Sequence, residues 1–199
     1  MATLFTYCVQ HDIGAAPNPF WGVCTLVICK PAIRRAAMVG DWIVGTGSKN
    51  SSKGDMSGKV VYAMKVTKKM EMQEYDAFTK RHLPAKIPSW YSHDVRLRLG
   101  DSVYDFSYDP PKIVRSVHNE KNRRKDLSGK YALLSKHFWY FGDKAPLLPD
   151  DLQEIVKQGP GHRSRANDPF IERFLKWLYG LKLEPNGLHG KPQRNLFVR

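Results

Sequence analysis

The fold is decided by residues 3–48, which read TLFTYCVQHDIGAAPNPFWGVCTLVICKPAIRRAAMVGDWIVGTGS. Two apolar runs, Thr3–Val9 and Val23–Cys29, flank a polar loop, and Asp12 is the only formally charged side chain before Lys30. Apolar runs without charge are typical of buried strands. The loop between them carries histidine, aspartate, asparagine and aromatic residues. We therefore expect it to hold these side chains on a rigid floor, as a base-sized ligand requires.

The composition predicts a globular protein. The chain has 199 residues, of which 42% are hydrophobic and 26% are charged, enough for a full core. No apolar run approaches the ~18 residues that span a bilayer, and no signal-peptide pattern is present, so we expect a cytoplasmic protein without a membrane partner. Cys8, Cys24 and Cys29 lie in apolar segments without the spacing of a zinc site. They are predicted to be buried, reduced thiols rather than metal ligands or a disulfide.

The charge is strongly positive, at +13, from 32 lysines and arginines against 19 acidic residues. Such an excess favours a polyanionic partner, most commonly nucleic acid. The alternative is a basic surface that binds nothing. Basic residues concentrate between positions 112 and 130, and a local cluster attracts phosphates better than scattered charge does. We predict that the nucleic-acid backbone is contacted by Lys112, Arg115, Lys121, Arg123, Arg124 and Lys125.

Periodicity predicts strands in the first two thirds of the chain and helices between and after them. The predicted strands are 3–9, 23–28, 41–45, 60–66 and 130–141. The predicted helices are 68–82, 150–157 and 169–178, the last capped by Asp168. In the first of them Met72, Tyr75 and Phe78 recur at i, i+3 and i+6 and are predicted to form its inner face. This order predicts an α+β fold in which a twisted antiparallel sheet closes on itself with helices at its ends. We assign residues 1–180 to one domain and residues 181–199 to a C-terminal tail.

Several motifs along the chain resemble the nucleotide modification associated domain, second type. They are His11-Asp12, Pro17-Asn18-Pro19-Phe20-Trp21-Gly22, Gly40-Asp41-Trp42-Ile43-Val44-Gly45-Thr46-Gly47, Tyr62-Ala63-Met64-Lys65-Val66, Tyr140-Phe141-Gly142 and Gly161-His162. The resemblance runs from Tyr7 to about Trp177. It implies a domain encoded beside enzymes that make unusual DNA bases, often in phages and mobile elements. It therefore implies DNA and base-modifying enzymes as partners, but no particular reaction.

A more distant likeness is to PUA-like barrels, including the EVE and ASCH domains. Their Gly-Asp turn, following strand and later helix are similar to Gly40-Asp41-Trp42-Ile43-Val44 and to Tyr62-Ala63-Met64-Lys65-Val66, followed by Tyr75 and Phe78. The likeness implies a PUA-like barrel with peripheral helices and an aromatic-lined pocket that receives a modified base. Another small α+β barrel is the alternative.

The loop after the first strand supplies the predicted ligand site. His11 and Asp12 can meet a base edge, Asn18 can pair with it bidentately, and aromatic rings can stack on it. The alternative assigns His11 and Asp12 to closing the strand and the two aromatic residues to the core. The predicted wall is completed by Phe20, Trp21, Trp42, Thr46 and Tyr140.

A second concentration of polar chemistry lies at Gly161-His162-Arg163-Ser164-Arg165. Arg163 and Arg165 can clamp a phosphate with the help of loop amides, and His162 can bind ligand or act as a base. A solvated basic loop is the alternative. His11 and His162 are thus the candidate catalytic residues.

Two functions fit these residues. The first is a module that binds a modified nucleobase or nucleotide, in DNA rather than RNA, within a DNA base-modification or phage system. The second is an enzyme that modifies or hydrolyses a nucleotide or base through His, Asn and Arg. Because no metal spacing or dinucleotide fingerprint is present, we expect no cofactor. An enzyme predicts convergence of His11, Asn18 and His162 on one pocket, whereas a binding module predicts aromatic walls beside a basic ridge.

Overall fold

A computed structural model of the chain describes residues 2–197. The strands are β1 (Leu4–Val9), β2 (Cys24–Leu26), β3 (Trp42–Gly47), β4 (Val60–Lys65), β5 (Lys68–Glu71), β6 (Tyr104–Asp105), β7 (Lys112–Ile113), β8 (Tyr131–Ser135), β9 (Phe138–Tyr140) and β10 (Gly187–Leu188). The α-helices are α1 (Pro31–Ala36), α2 (Met72–His82), α3 (Val95–Arg98), α4 (Glu120–Leu127) and α5 (Ile171–Gly180). Four short 3-10 helices lie at Pro84–Lys86, Gly142–Lys144, Asp150–Ile155 and Arg165–Phe170. The predicted α+β class is confirmed.

The sheet pairing differs from the predicted antiparallel barrel. One sheet has the order β1-β3-β4-β9-β10, a second the order β2-β8-β5, and β6 pairs with β7. β1 runs parallel to β3 and β10 runs parallel to β9, so the prediction of a purely antiparallel sheet is wrong. Parallel neighbours need a long crossover, and the segment between β1 and β3 supplies it by placing β2 in the second sheet. The strand pairings within residues 2–197 do not close a barrel, and the PUA-like fold is not confirmed.

Two chain segments pass from one sheet to the other. β4 and β5 are separated by Val66-Thr67, and β8 and β9 by Lys136-His137. The predicted single strand 130–141 is therefore two strands. The predicted helix 68–82 begins only at Met72, because residues 68–71 pair with β8. Its predicted inner face is correct where it places Met72 and Tyr75 in the core.

The C-terminal third contains further differences from the predicted elements. The predicted helix 150–157 is a 3-10 helix, Asp150–Ile155. α5 starts at Ile171, after a 3-10 helix that includes Asp168, so Asp168 is not its cap. The Asp168 carboxylate instead accepts the Leu4 main-chain N–H at 3.3 Å. Within the predicted tail, Gly187–Leu188 pair with β9, and the domain boundary at 180 stays a prediction.

Three hydrophobic clusters define the layers. One fills the space between the two sheets and contains Tyr7, Leu26 and Tyr62. A second packs α5 on the outer face of the larger sheet, and a third packs α2 on the smaller sheet. Because side chains alternate along a strand, Phe5, Tyr7 and Val9 of β1 all enter the first cluster. None of the helices in residues 2–197 is long and apolar enough to cross a membrane.

Candidate functional site

A cleft of about 450 Å³ opens where β1 ends. The end of β1 and the residues after it form one wall, the start of α1 forms another, and a glycine-rich loop and α4 complete the rim. The lining residues are Tyr7, Cys8, Val9, Gln10, His11, Ala16, Cys29, Lys30, Pro31, Ala32, Ile33, Lys125, Gly159, Pro160, Gly161 and His162.

Main-chain pairing holds the glycine-rich loop against β1. The N–H and C=O of Thr6 bond to the C=O and N–H of Arg163, each at 2.9 Å. This bridge fixes the preceding residue, His162, whose ring centre lies 5.8 Å from that of Phe5. His162 is therefore held at the cleft by backbone geometry and by packing on β1.

Lys30 forms the cationic floor of the cleft. Its backbone is left-handed, with φ 40° and ψ 48°, just before α1. Nζ donates to the carbonyl of Cys8 at 3.3 Å and lies 4.4 Å from the centre of the Tyr7 ring. Burial lowers the pKa of Lys30 below its usual value. Since the ammonium covers the Tyr7 ring, the floor of the cleft offers a charge rather than an aromatic face.

The lining of the cleft is basic. Of the described residues that line it, none is acidic, whereas Lys30, Lys125, His11 and His162 are basic. Burial lowers the pKa of His162, and the nearby Lys30 charge lowers it further. His162 is therefore mostly neutral at pH 7 and can accept as well as donate a hydrogen bond.

The structure brings together only part of the predicted site. His11 and His162 line one cleft, as predicted for an enzyme, but Asn18 does not join them. Six of the predicted residues, Asn18 among them, have other surroundings. Buried residues away from the lining are Asp12, Asn18, Phe20, Trp42, Thr46 and Tyr140.

The Asn18 side chain is fully engaged inside the protein. Its amide nitrogen donates to the carbonyl of Leu99 at 2.8 Å, and its side-chain oxygen accepts from Lys86 Nζ at 2.6 Å. Asn18 is completely buried. The structure thus places this carboxamide in a core network rather than at a ligand edge.

Asp12 and Tyr140 form a second buried contact. Both carboxylate oxygens of Asp12 lie within 2.8 Å of the Tyr140 hydroxyl, and Oδ2 also accepts the Gln193 N–H at 3.2 Å. Burial raises the pKa of Asp12, although the Tyr140 hydrogen bond opposes this shift. The pair ties the loop after β1 to β9 and to the C-terminal segment.

The remaining aromatic candidates have packing roles, as does Thr46. Phe20 lies in the core cluster of α2, and Trp42 stacks on Trp139 at 6.3 Å between ring centres. The Thr46 hydroxyl donates to the carbonyl of Tyr7 at 3.3 Å. Trp21 is partly exposed beneath the Arg96 guanidinium, 4.9 Å from its ring.

Arg163 and Arg165 do not form the predicted clamp at the cleft. Neither side chain is part of the lining. Arg163 lies 3.9 Å from Glu154, and Arg165 lines a separate depression with Met38 and Asp41.

The predicted backbone cluster divides into engaged and available cations. Arg123 pairs with Glu120 at 2.6 Å, Arg115 covers the rings of Trp90 and Tyr91, and Lys112 lies 3.5 Å above the Tyr108 ring. The remaining three are exposed and make no ion pair or side-chain hydrogen bond with residues 2–197. These are Lys121, Arg124 and Lys125, all on α4.

The sequence prediction missed a polar group behind the cleft. Cys29 Sγ lies 3.5 Å from His118 Nε2, and His118 Nδ1 lies 2.5 Å from Asp126 Oδ2. Cys29 and Cys8 are partly exposed free thiols, so the prediction that all three cysteines are buried holds only for Cys24. Because 89 residues separate Cys29 from His118, no local spacing could have indicated this contact.

Asn18→Ala is expected to destabilise the protein by about 1–3 kcal/mol, because it leaves buried donors and an ammonium without their acceptor. Ligand affinity should be unchanged. Chemical unfolding and a nucleotide titration on this variant measure the two effects separately. Normal stability combined with weakened binding would instead restore Asn18 to the ligand site.

Fold and cleft together define a basic α+β protein with a cleft of basic lining at the end of the edge strand β1. The family model for nucleotide modification associated domain 2 matches residues 1–198, and the chain belongs to this family. The resemblance noted in the sequence is thereby confirmed, and it associates the protein with nucleotide modification. No curated protein and no solved structure is significantly similar to the chain.

Proposed function

We propose that the cleft binds a nucleobase or nucleotide, in DNA, while α4 contacts the adjoining phosphate backbone. The observation that carries this proposal is the charge of the cleft, whose lining has two lysines, Lys30 and Lys125, and no acidic residue among those described. Lys125 belongs both to the lining and to α4. The neighbouring nucleotides of the same DNA strand would therefore lie beside Lys121 and Arg124.

The dimensions support a nucleotide-sized ligand. Ligand pockets commonly measure about 300–1,000 Å³, and this cleft measures about 450 Å³. Lys30 and Lys125 can neutralise phosphate, while His11 and His162 can bond to a base or sugar. Recognition would depend on charge and hydrogen bonds more than on the aromatic stacking predicted from the sequence. The family supports placing this binding within a DNA base-modification system, of a phage or mobile element among others.

A second candidate function is an enzyme that modifies or hydrolyses a nucleotide. It is favoured by the convergence of His11 and His162 on the same cleft. Two imidazoles at one ligand site can transfer protons near neutral pH.

His162→Ala is expected to weaken nucleotide binding by about 1 kcal/mol through loss of one hydrogen bond. Stability should change little, because the main-chain bridge of Arg163 to Thr6 remains. The matched control is His93→Ala, since His93 is exposed and lies outside the cleft lining.

The experiment has two parts. Mass spectrometry first identifies nucleotides carried by the purified protein, and calorimetry then titrates those nucleotides and a single-stranded oligonucleotide into both variants. Absence of any copurified nucleotide together with absence of oligonucleotide binding would refute the proposal. So would equal affinities of the His162 and His93 variants.

A further inference from the structure

Three side chains behind the cleft are arranged in series. Cys29 lines the cleft, His118 Nε2 lies 3.5 Å from its sulfur, and Asp126 Oδ2 lies 2.5 Å from the other ring nitrogen. Exposure falls along the series, from the partly exposed Cys29 to the fully buried Asp126. The Cys29 sulfur thus lies next to the cleft and the Asp126 carboxylate lies deepest. Catalytic triads have the same order of nucleophile, base and orienting carboxylate.

The carboxylate is held in place by other bonds. Asp126 Oδ1 accepts the main-chain N–H of Cys29 at 2.8 Å, and Oδ2 accepts the Tyr104 hydroxyl at 2.9 Å. The Arg34 guanidinium donates to the main-chain carbonyls of Cys29, Tyr131 and Asp126. These contacts fix the distance between the strand end that carries Cys29 and the helix that carries Asp126.

The backbone at Cys29 has an uncommon conformation. Cys29 and Lys30 have φ values of 60° and 40°, two consecutive non-glycine residues in the left-handed region. Such residues cluster at functional sites, where the surrounding structure holds them. Here the bond from the Cys29 N–H to Asp126 and the contact of the Lys30 ammonium with Cys8 hold them.

The His118 ring lies between the carboxylate and the sulfur, with Nδ1 facing Asp126 and Nε2 facing Cys29. Burial lowers the pKa of His118, but the hydrogen bonds to Asp126 and Cys29 outweigh burial and raise the pKa to about 9. In this geometry the Cys29 sulfur and His118 Nε2 can share a proton, as a nucleophile and its base do.

We infer that Cys29 is a nucleophile for acyl transfer on an anionic substrate bound in the cleft, with His118 as its proton donor and acceptor and Asp126 as a positioning residue. This inference rests on the proposed function for the substrate's nucleotide part. It adds a covalent step, and it assigns the step to residues that the binding proposal does not use.

The step balances with water or an amine as the second substrate. The Cys29 sulfur attacks an ester or amide carbonyl carbon while the proton that it shares with His118 Nε2 stays on the ring. A C–S bond forms and the C–O or C–N bond breaks, and His118 gives its Nε2 proton to the departing alcohol or amine, leaving a thioester. The second substrate then attacks the thioester carbon, the C–S bond breaks, and the second substrate's proton returns through His118 Nε2 to be shared with the sulfur.

The same three side chains form the one group within residues 2–197 that could hold a metal ion, with their ligand atoms within 4.8 Å of one another. The hydrogen bonds argue for the triad. Both Asp126 oxygens already accept protein donors, and one ring nitrogen of His118 is used on the carboxylate. Because the same atoms could bind a zinc ion, the experiment must distinguish a zinc site from the triad.

The test compares two cysteines in the same folded chain. Cys8 also lines the cleft and is partly exposed, but the one hydrogen bond of its thiol within residues 2–197 goes to the carbonyl of Gly47. The probes are iodoacetamide and p-nitrophenyl acetate at neutral pH, with the modified site mapped by mass spectrometry. We expect Cys29 to react first with both probes and to release p-nitrophenolate in a burst.

Variants test the partners of Cys29. His118→Asn should lower the acetylation rate of Cys29 by roughly 100-fold, the scale of general acid–base catalysis. Asp126→Asn should lower the ratio of the Cys29 alkylation rate to the Cys8 alkylation rate. A loss of stability alone would not lower this ratio. Each variant's unfolding transition is recorded beside the rates.

Three results would overturn the inference. Cys29 reacting no faster than Cys8 is the first, and an unchanged rate in His118→Asn is the second. The third is stoichiometric zinc in the purified protein, with Cys29 becoming reactive only after chelation. Nucleotide binding by the wild-type protein, measured beside the reactivity of Cys29, separates the two proposals. Nucleotide binding by a protein whose Cys29 reacts no faster than Cys8 refutes the triad alone. Reactivity without any nucleotide binding refutes the proposed ligand and leaves the nucleophile.

Discussion

Lys86→Met is expected to lower the free energy of unfolding by about 3–5 kcal/mol, because it removes one of two opposite buried charges, Lys86 and Asp101, which the Thr25 hydroxyl links. Lys86 is completely buried, and its Nζ lies within 2.9 Å of four oxygen atoms, contributed by Asn18, Val23 and Thr25. Burial lowers the pKa of Lys86 to about 8, with Asp101 opposing the shift. Without the ammonium, Asp101 would be an unbalanced buried charge and the oxygen atoms would lose their donor.

Urea unfolding of the wild type and of two further variants measures this effect. Lys176→Met is the matched control, since Lys176 is exposed on α5, and it should change stability by less than about 0.5 kcal/mol. Adding Asp101→Asn to Lys86→Met should recover part of the loss, because the unbalanced charge is gone while the amide oxygen can still accept one of the two bonds from Thr25 and Tyr75. Equal stabilities of Lys86→Met and Lys176→Met would show that the network contributes nothing.

The same network explains why the loop after β1 was assigned to a ligand. Asn18 does lie between two prolines and beside aromatic residues. Whether its side chain contacts a ligand depends on its hydrogen-bond partner, which is Lys86. A buried polar side chain needs a hydrogen-bond partner, and the sequence does not indicate whether that partner is protein or ligand. The donor here is a lysine that charge alone predicts to be exposed.

The apolar patterning predicted the local elements well. β1, β3 and β4 lie within two residues of their predicted bounds, and the inner face of α2 was correctly predicted at Met72 and Tyr75. The sheet order was not predictable in this way, because β1 and β3 are both apolar whether they pair parallel or antiparallel. Direction is determined by the path between them, through β2 and α1, which periodicity does not describe.

Long-range contacts account for the rest of what the sequence did not show. Cys29 and His118 are brought together by the packing of α4 against the start of α1, and His162 by the Arg163 bridge to Thr6. Of Cys29, His118 and His162, only His162 was predicted from the sequence to be a site residue. Their common location at the end of β1 is a property of the three-dimensional packing alone.

Replacing Lys121, Arg124 and Lys125 together by Ala is expected to reduce the salt slope of DNA binding by up to ~2.7 units, since each neutralised phosphate contributes ~0.9. Between about 50 mM and about 200 mM salt this removes roughly 40-fold of the wild-type salt sensitivity. The three side chains are exposed on α4 and make no ion pair within residues 2–197. Arg123 is left in place because it already pairs with Glu120.

Fluorescence anisotropy with a labelled duplex, repeated over a salt series, measures the slope. The matched control replaces Lys65, Lys136 and Lys176, which are exposed outside α4 and remove the same charge. A general effect of net charge would lower the slope equally in both triple variants, whereas a contact surface on α4 predicts the larger loss in the first.

Because Lys125 also lines the cleft, a double variant that combines Lys121→Ala with Arg124→Ala isolates the backbone contacts. Mononucleotide affinity should survive in that double variant. Loss of mononucleotide binding there would mean that α4 shapes the cleft itself.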